Sequence, residues 1–254
     1  MNLHAERFGD GGPTLLLLHG IAGNGAVWGP LLKSLDGRWP GKILVPDLRG
    51  HGRTPHASHY SFGQYASDIA DLLYTDEQVW VVGHSMGQVV GLALASGWYG
   101  LSVGAVLGFG MKVRWNDTDM EKRRSLANVP VRWFETRTEA AQRFMRLSGV
   151  ADLVSEDDQS VEAGLRQEKG LWRVAADARI YDAPTAPYKE LVGLAKAPVI
   201  LACGSKDPMV CVDELRVFDL HAIQLDGLGH NLHLEAPQIL ADLIQEKLLP
   251  LLGT

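Results

Sequence analysis

A chain of 254 residues with 46% hydrophobic and 21% charged side chains can bury one substantial core, in proportions ordinary for a globular enzyme. Its formal net charge of -6 excludes nucleic acid and anionic membrane as expected partners, because both demand concentrated positive charge. No apolar run approaches the roughly 20 residues of a membrane span, and Cys203 and Cys211 have neither metal-ligand nor redox spacing.

The N-terminus, Met-Asn-Leu-His-Ala-Glu-Arg, lacks the basic-then-apolar layout of a secretory leader. A cytoplasmic protein with a small-molecule substrate, no metal and no cofactor is the expectation. In chain order, one edge strand fits around residues 3–8. Short apolar runs at 15–18, 43–45, 79–82, 103–107, 199–203 and 222–225 then alternate with helical segments. Continuous apolar strands of this kind imply an α/β fold, a mostly parallel sheet with helices on both faces. Ligands of such sheets sit beyond the carboxyl ends of the strands.

Between residues 112 and 182 the strand pattern disappears, and three or four short amphipathic helices are expected. Thr136 to Glu139 reads as a capping box, with Gly149 and Gly170 as helix stops. The segment reads as a helical lid inserted in a core made of residues 1–111 and 183–254. It is rich in arginine but balanced by acids, so solvated surface pairs are the favoured reading of those charges. The alternative is one inward arginine that grips a substrate carboxylate. Trp115, Trp133, Phe134 and Trp172 are candidates for an apolar pocket, although helical spacing suits core packing equally well.

Residues 78–91 run from a buried strand through Gly83-His84-Ser85-Met86-Gly87 into an apolar helix. A serine at such a corner is held out at the sheet's end over a helix N-terminus that favours developing negative charge. Ser85 is therefore the candidate nucleophile, and it needs a base that is neutral at working pH. His230, in a glycine-rich loop after the last strand, is better framed for that role than His51, His56, His59, His84 or His233. Asp207, in the turn after the penultimate strand, is favoured over Asp226 as the carboxylate that orients the base. Oxyanion donors are expected at the backbone amides of Met86 and Ile21, the latter in the turn after residues 15–18.

These residues, with His19-Gly20, Asp47 to Thr54, Asp207-Pro208 and Gly229-His230 followed by Glu235-Ala-Pro237, make the chain resemble the α/β-hydrolase fold superfamily. The likeness is to its compact serine hydrolases with a helical lid, and covers everything except the lid. It implies a Ser85, Asp207, His230 triad, oxyanion amides at Ile21 and Met86, and cleavage of a small apolar carboxylic ester. C–C bond hydrolysis of a ring-fission product and enol-lactone opening are alternatives on the same triad, and a non-catalytic small-molecule receptor is another. Two departures stand out. Gln88 occupies a position where the family often has glycine, and the N-terminal edge of the sheet is a strand short.

Overall fold

The computed structural model describes residues 1–252; Gly253 and Thr254, the end of the expected second core segment, lie outside the described residues. The sheet contains β1 (Ala5–Phe8), β2 (Thr14–Leu18), β3 (Ile43–Pro46), β4 (Gln78–His84) and β5 (Ser102–Phe109). The first helices are α1 (Gly29–Ser34), α2 (Phe62–Ala70) and α3 (Met86–Ala95). The insertion after β5 holds α4 (Asp117–Ala127), α5 (Arg137–Ser148), α6 (Gln159–Ala163), β6 (Leu165–Glu168) and β7 (Leu171–Val174). A 3-10 turn, Ala178–Asp182, closes it. The chain ends with α7 (Tyr188–Leu194), β8 (Val199–Gly204), α8 (Val212–Leu215), β9 (Ile223–Leu225), α9 (Leu232–Glu235) and α10 (Pro237–Leu248).

The main sheet has the order β1-β3-β2-β4-β5-β8-β9, with only β1 antiparallel. Strand periodicity divides the core between its faces. Leu15 and Leu17 pack with Trp28, Trp80, Phe109 and Ile244, whereas Leu16 and Leu18 pack with Tyr65, Val81 and Val89. Both faces are covered, which is why β2 reads as an unbroken apolar run.

The insertion is less helical than expected. Its helices α4 and α5 carry full capping boxes, Asn116 with Asp119 and Thr136 with Glu139, and Gly149 ends α5 in the left-handed conformation. Gly170, however, stops no helix. With Lys169 it forms the positive-φ turn (φ 51° and 83°) of the β6–β7 hairpin. The hairpin closes over a small separate core of Phe134, Phe144, Met145, Val161 and Leu165.

Four histidines are buried beneath the carboxyl edge of the sheet: His19, His51, His84 and His233. His19 accepts from the Leu48 N–H through Nε2 (3.0 Å), so Nδ1 carries the proton and donates to the Gly20 carbonyl (2.8 Å). Burial pushes His19 down to about 4, and His51 and His233 to about 3. Such groups take up protons near pH 6.5 only when the chain unfolds, so below that pH the unfolded state binds more protons and stability falls. The loss runs from about pH 6.5 toward 3 and reaches as much as ~1.4 kcal/mol per pH unit for each group. Calorimetric melting temperatures are therefore expected to drop steeply between about pH 6.5 and 4.5; a flat profile across that range would refute neutral burial.

Candidate active site

Ser85 occupies the corner between β4 and α3 with φ 49° and ψ -115°, a conformation that costs a non-glycine residue roughly 1–3 kcal/mol. The flanking glycines are required by contact. A Cβ on Gly87 would strike the Leu18 carbonyl, and one on Gly83 would lie 2.5 Å from the Gln88 backbone nitrogen. The Ser85 N–H is held by the Phe109 carbonyl at 2.8 Å. The corner is thereby clamped between the ends of β2 and β5.

Gln88 fits because β5 makes room. Its buried side chain crosses Gly108, where any Cβ would overlap it, and its amide donates to the Tyr188 hydroxyl on α7. The departure from glycine thus becomes a link between α3 and α7 on the far side of the corner. Burial raises the Tyr188 phenol well above its ordinary value, so it stays protonated.

His230 projects from the loop after β9, and its Nδ1 lies 3.0 and 3.1 Å from the two carboxylate oxygens of Asp207. The Asp207 side chain is fully buried and also accepts the Met209 N–H at 2.8 Å. Asp226 is exposed, and its carboxylate accepts from Gln224 instead. Glu235, for which the sequence suggested no role, grips the loop on both sides of His230. Its oxygens accept the Gly229 N–H (2.5 Å) and the Asn231 N–H (2.9 Å). A carboxylate five residues beyond a loop histidine, at the end of a short helix, was the available signal.

The four buried histidines pack against other rings or one another. His84 stacks on Phe109 and meets His230 edge-on at 4.7 Å, and His233 lies against Trp28 at 4.8 Å. His51 stands edge-on to His19. His56 and His59 belong to the loop after β3, where the His56 ring meets the Ala175 carbonyl at 2.7 Å. Asp47 braces that loop by accepting the Gly25 and Arg53 N–H groups at 2.6 and 2.7 Å.

Backbone hydrogen bonds fix the orientation of the two expected amides. In a trans peptide the carbonyl and the following N–H point in opposite directions. The Gly20 carbonyl is held inward by His19 Nδ1 and by the Gly23 N–H, so the Ile21 N–H points outward. The Ser85 carbonyl likewise accepts the Gln88 N–H, which turns the Met86 N–H the other way at the start of α3.

Two cavities meet at Ser85, and Ile21 and Met209 line both. One, of about 300 Å³, is lined by His84, His230, Asn231, His233 and Gly149. The other, of about 230 Å³, is lined by Met86, Met111, Trp115, Arg123, Leu126 and Ile180. No hydrogen bond joins the Ser85 hydroxyl to the His230 ring among the described residues, although both line the first cavity. Of the four aromatics expected to line a pocket, Trp115 lines the second cavity and Phe134 a separate one of about 80 Å³. Trp172 packs against the insertion's own core, and Trp133 is exposed with Arg173 over its ring. Among the described residues no cluster of His, Cys, Asp and Glu has the makings of a metal site, and no helix is long and apolar enough to cross a membrane.

Comparison with known proteins agrees with this architecture. Lipase LipV of Mycobacterium tuberculosis is 39% identical over 99 residues, 38% of this chain and 37% of that protein. The pimeloyl-[acyl-carrier protein] methyl ester esterase of Aeromonas hydrophila is 39% identical over 97 residues, 37% of this chain and 36% of that protein. The matched stretch thus spans little more than a third of either relative. Among solved structures, E-2-(acetamidomethylene)succinate hydrolase superimposes with a TM-score of 0.80 at 22% identity, covering 96% of this chain and 94% of that one, a likeness of fold. The family model described as "Alpha/beta hydrolase family" matches residues 15–243, nearly the whole sheet and everything at its carboxyl edge. The chain belongs to the alpha/beta hydrolase family.

Proposed function

We infer that the protein is a serine hydrolase that cleaves a carboxylic ester through an acyl-enzyme on Ser85. The observation that carries this reading is the His230 ring, bound by Asp207 at Nδ1 and lining a cavity together with Ser85. Asp207 fixes the tautomer in which Nδ1 is protonated, leaving Nε2 as the basic nitrogen. In acylation the Ser85 Oγ–carbon bond forms, the Oγ proton passes to Nε2, and the carbon–alkoxide bond breaks as Nε2 returns that proton to the leaving alcohol. Water then attacks the acyl-enzyme by the same proton route and releases the acid. The Ile21 and Met86 amides would hold the oxyanion, each such donor contributing roughly 3–4 kcal/mol in the transition state.

The insertion, residues 112–182, serves in this reading as a lid that selects the substrate. It walls both cavities, through Gly149 on one side and Trp115 with Leu126 on the other. It supplies no group to proton transfer or to the oxyanion.

Ser85→Ala is expected to fold normally, because the hydroxyl makes no hydrogen bond among the described residues, and to lose on the order of 10⁶ in kcat. Retained turnover of 4-nitrophenyl acetate by that variant, with matching circular dichroism, would remove Ser85 as nucleophile. Asp207→Asn should lower kcat by about 10⁴, the penalty of a misoriented imidazole, whereas Asp226→Asn should stay within a few-fold of wild type. The reverse ranking would hand the orienting role to Asp226.

A further inference from the structure

Arg123, in the middle of α4, is the one guanidinium among the described residues that lines the Trp115 cavity beside Ser85. It is half-buried, and its Nη2 donates to the Tyr181 carbonyl (3.3 Å) and to the Ala183 carbonyl. Its flat face lies 5.0 Å from the Trp115 ring. The guanidinium is therefore held in place by neutral groups, and no carboxylate pairs with it among the described residues. Its Nε and Nη1 hydrogens make no hydrogen bond there. Of the other insertion arginines, Arg114, Arg137, Arg173 and Arg179 each pair with a nearby acid, and Arg166, also half-buried and bound to the Leu165 and Gly52 carbonyls, does not line this cavity.

The rest of the cavity wall has the same sign. Lys112, Lys122 and Arg123 face a single carboxylate, Asp119, which Lys112 already binds at 2.6 Å. The remaining lining between Ser85 and Arg123 is dominated by Ile21, Met86, Met111, Leu126 and Ile180, which are apolar. A ligand matched to this wall has an aliphatic body and an anionic end. Burial of the guanidinium costs free energy and pulls its pKa below the ordinary value, a cost that the nearby Asp182 carboxylate offsets only in part. A bound carboxylate removes that cost through charge-assisted hydrogen bonds.

Chemistry fixes which half of the substrate lies here. The leaving alkoxide must take its proton from His230, and His230 lines only the other of the two cavities. The alcohol therefore departs on the His230 side and the acyl chain extends toward Trp115. Arg146, on the alcohol side, is exposed, so solvent already satisfies its charge. Building on the ester-hydrolase reading above, we propose that Arg123 receives a free carboxylate at the far end of the acyl group, so that the preferred substrates are half-esters of aliphatic dicarboxylic acids.

The test compares monomethyl adipate and monomethyl suberate with methyl hexanoate and methyl octanoate, following acid release by chromatography. Wild type is expected to favour the half-ester of at least one chain length by roughly 10- to 100-fold in kcat/KM, the scale of a charged hydrogen bond. Arg123→Gln should collapse that ratio toward one through a higher KM for the half-ester, and Arg123→Lys should keep part of it. No half-ester preference at either length, or a parallel loss on both ester types in Arg123→Gln, overturns the proposal. Ser85-dependent turnover of 4-nitrophenyl acetate reports separately on the hydrolase reading. Should no ester be turned over, calorimetric titration of monomethyl suberate into Ser85→Ala still decides: binding abolished by Arg123→Gln supports the receptor role, and absence of binding refutes it.

Discussion

The first turn of α3 closes so tightly onto the end of β2 that Gly87 sits against the Leu18 and His19 carbonyls. The rest of the carboxyl edge depends on that contact. It forces the left-handed backbone at Ser85, brings the helix N-terminus up to the turn carrying Ile21, and leaves no space for a side chain at Gly83 or Gly87. The strain is offset by burial: every residue of α3 is buried, and Val89, Val90, Leu92 and Leu94 join the larger of the two sheet cores. A single well-packed apolar side chain contributes about 1.5–3 kcal/mol, so one or two of them suffice to hold the corner.

The second requirement is a histidine held by more than its own carboxylate partner. Asp207 fixes the ring, but the loop bearing it contains Gly227 and Gly229 and has little intrinsic shape. Glu235 supplies the shape by binding the amides before and after His230, and Asn231 carries the hold onward by donating to the Gly149 carbonyl at 3.0 Å. The polar groups of the candidate site are thus fixed by backbone hydrogen bonds from neighbouring loops as well as by the contact between Asp207 and His230.

The strands were legible because both sheet faces are buried, which writes each of them as an apolar run bounded by turn residues. The corner at Ser85 was legible because glycine is demanded on both sides of it. The β6–β7 hairpin was not, since Leu-Arg-Gln-Glu-Lys-Gly-Leu-Trp-Arg-Val carries the charges of a solvated helix and turns on Lys169-Gly170 rather than an Asn-Gly pair. Gln88 posed a similar difficulty. Its accommodation depends on Gly108, twenty residues away on another strand, and on Tyr188, a hundred away, and no local pattern connects the three. The charge on Arg123 was visible, but whether it had an acidic partner is a property of the folded surface alone.

The two halves of the insertion are fastened unequally, and this bears on how such a site diversifies. The part from α5 to the 3-10 turn is tied to the core by the Gly149, Ser160, Ala175 and Asp177 backbones, which bond Asn231, Asn24, His56 and Gly50. Helix α4, in contrast, buries only Ala127 and rests on the 3-10 turn, where Arg123 reaches the Tyr181 and Ala183 carbonyls. Substitutions on α4 therefore reshape the acyl-side wall with little consequence for the core, while the wall on the His230 side is locked to it. On the proposed reading, the alcohol side is the mechanically fixed part of the site and the acyl side the adjustable one. Arg123 then has two duties, since the same guanidinium that anchors α4 also presents its charge to the cavity. Lysine, with one compact charge and no planar fork, cannot perform both equally well.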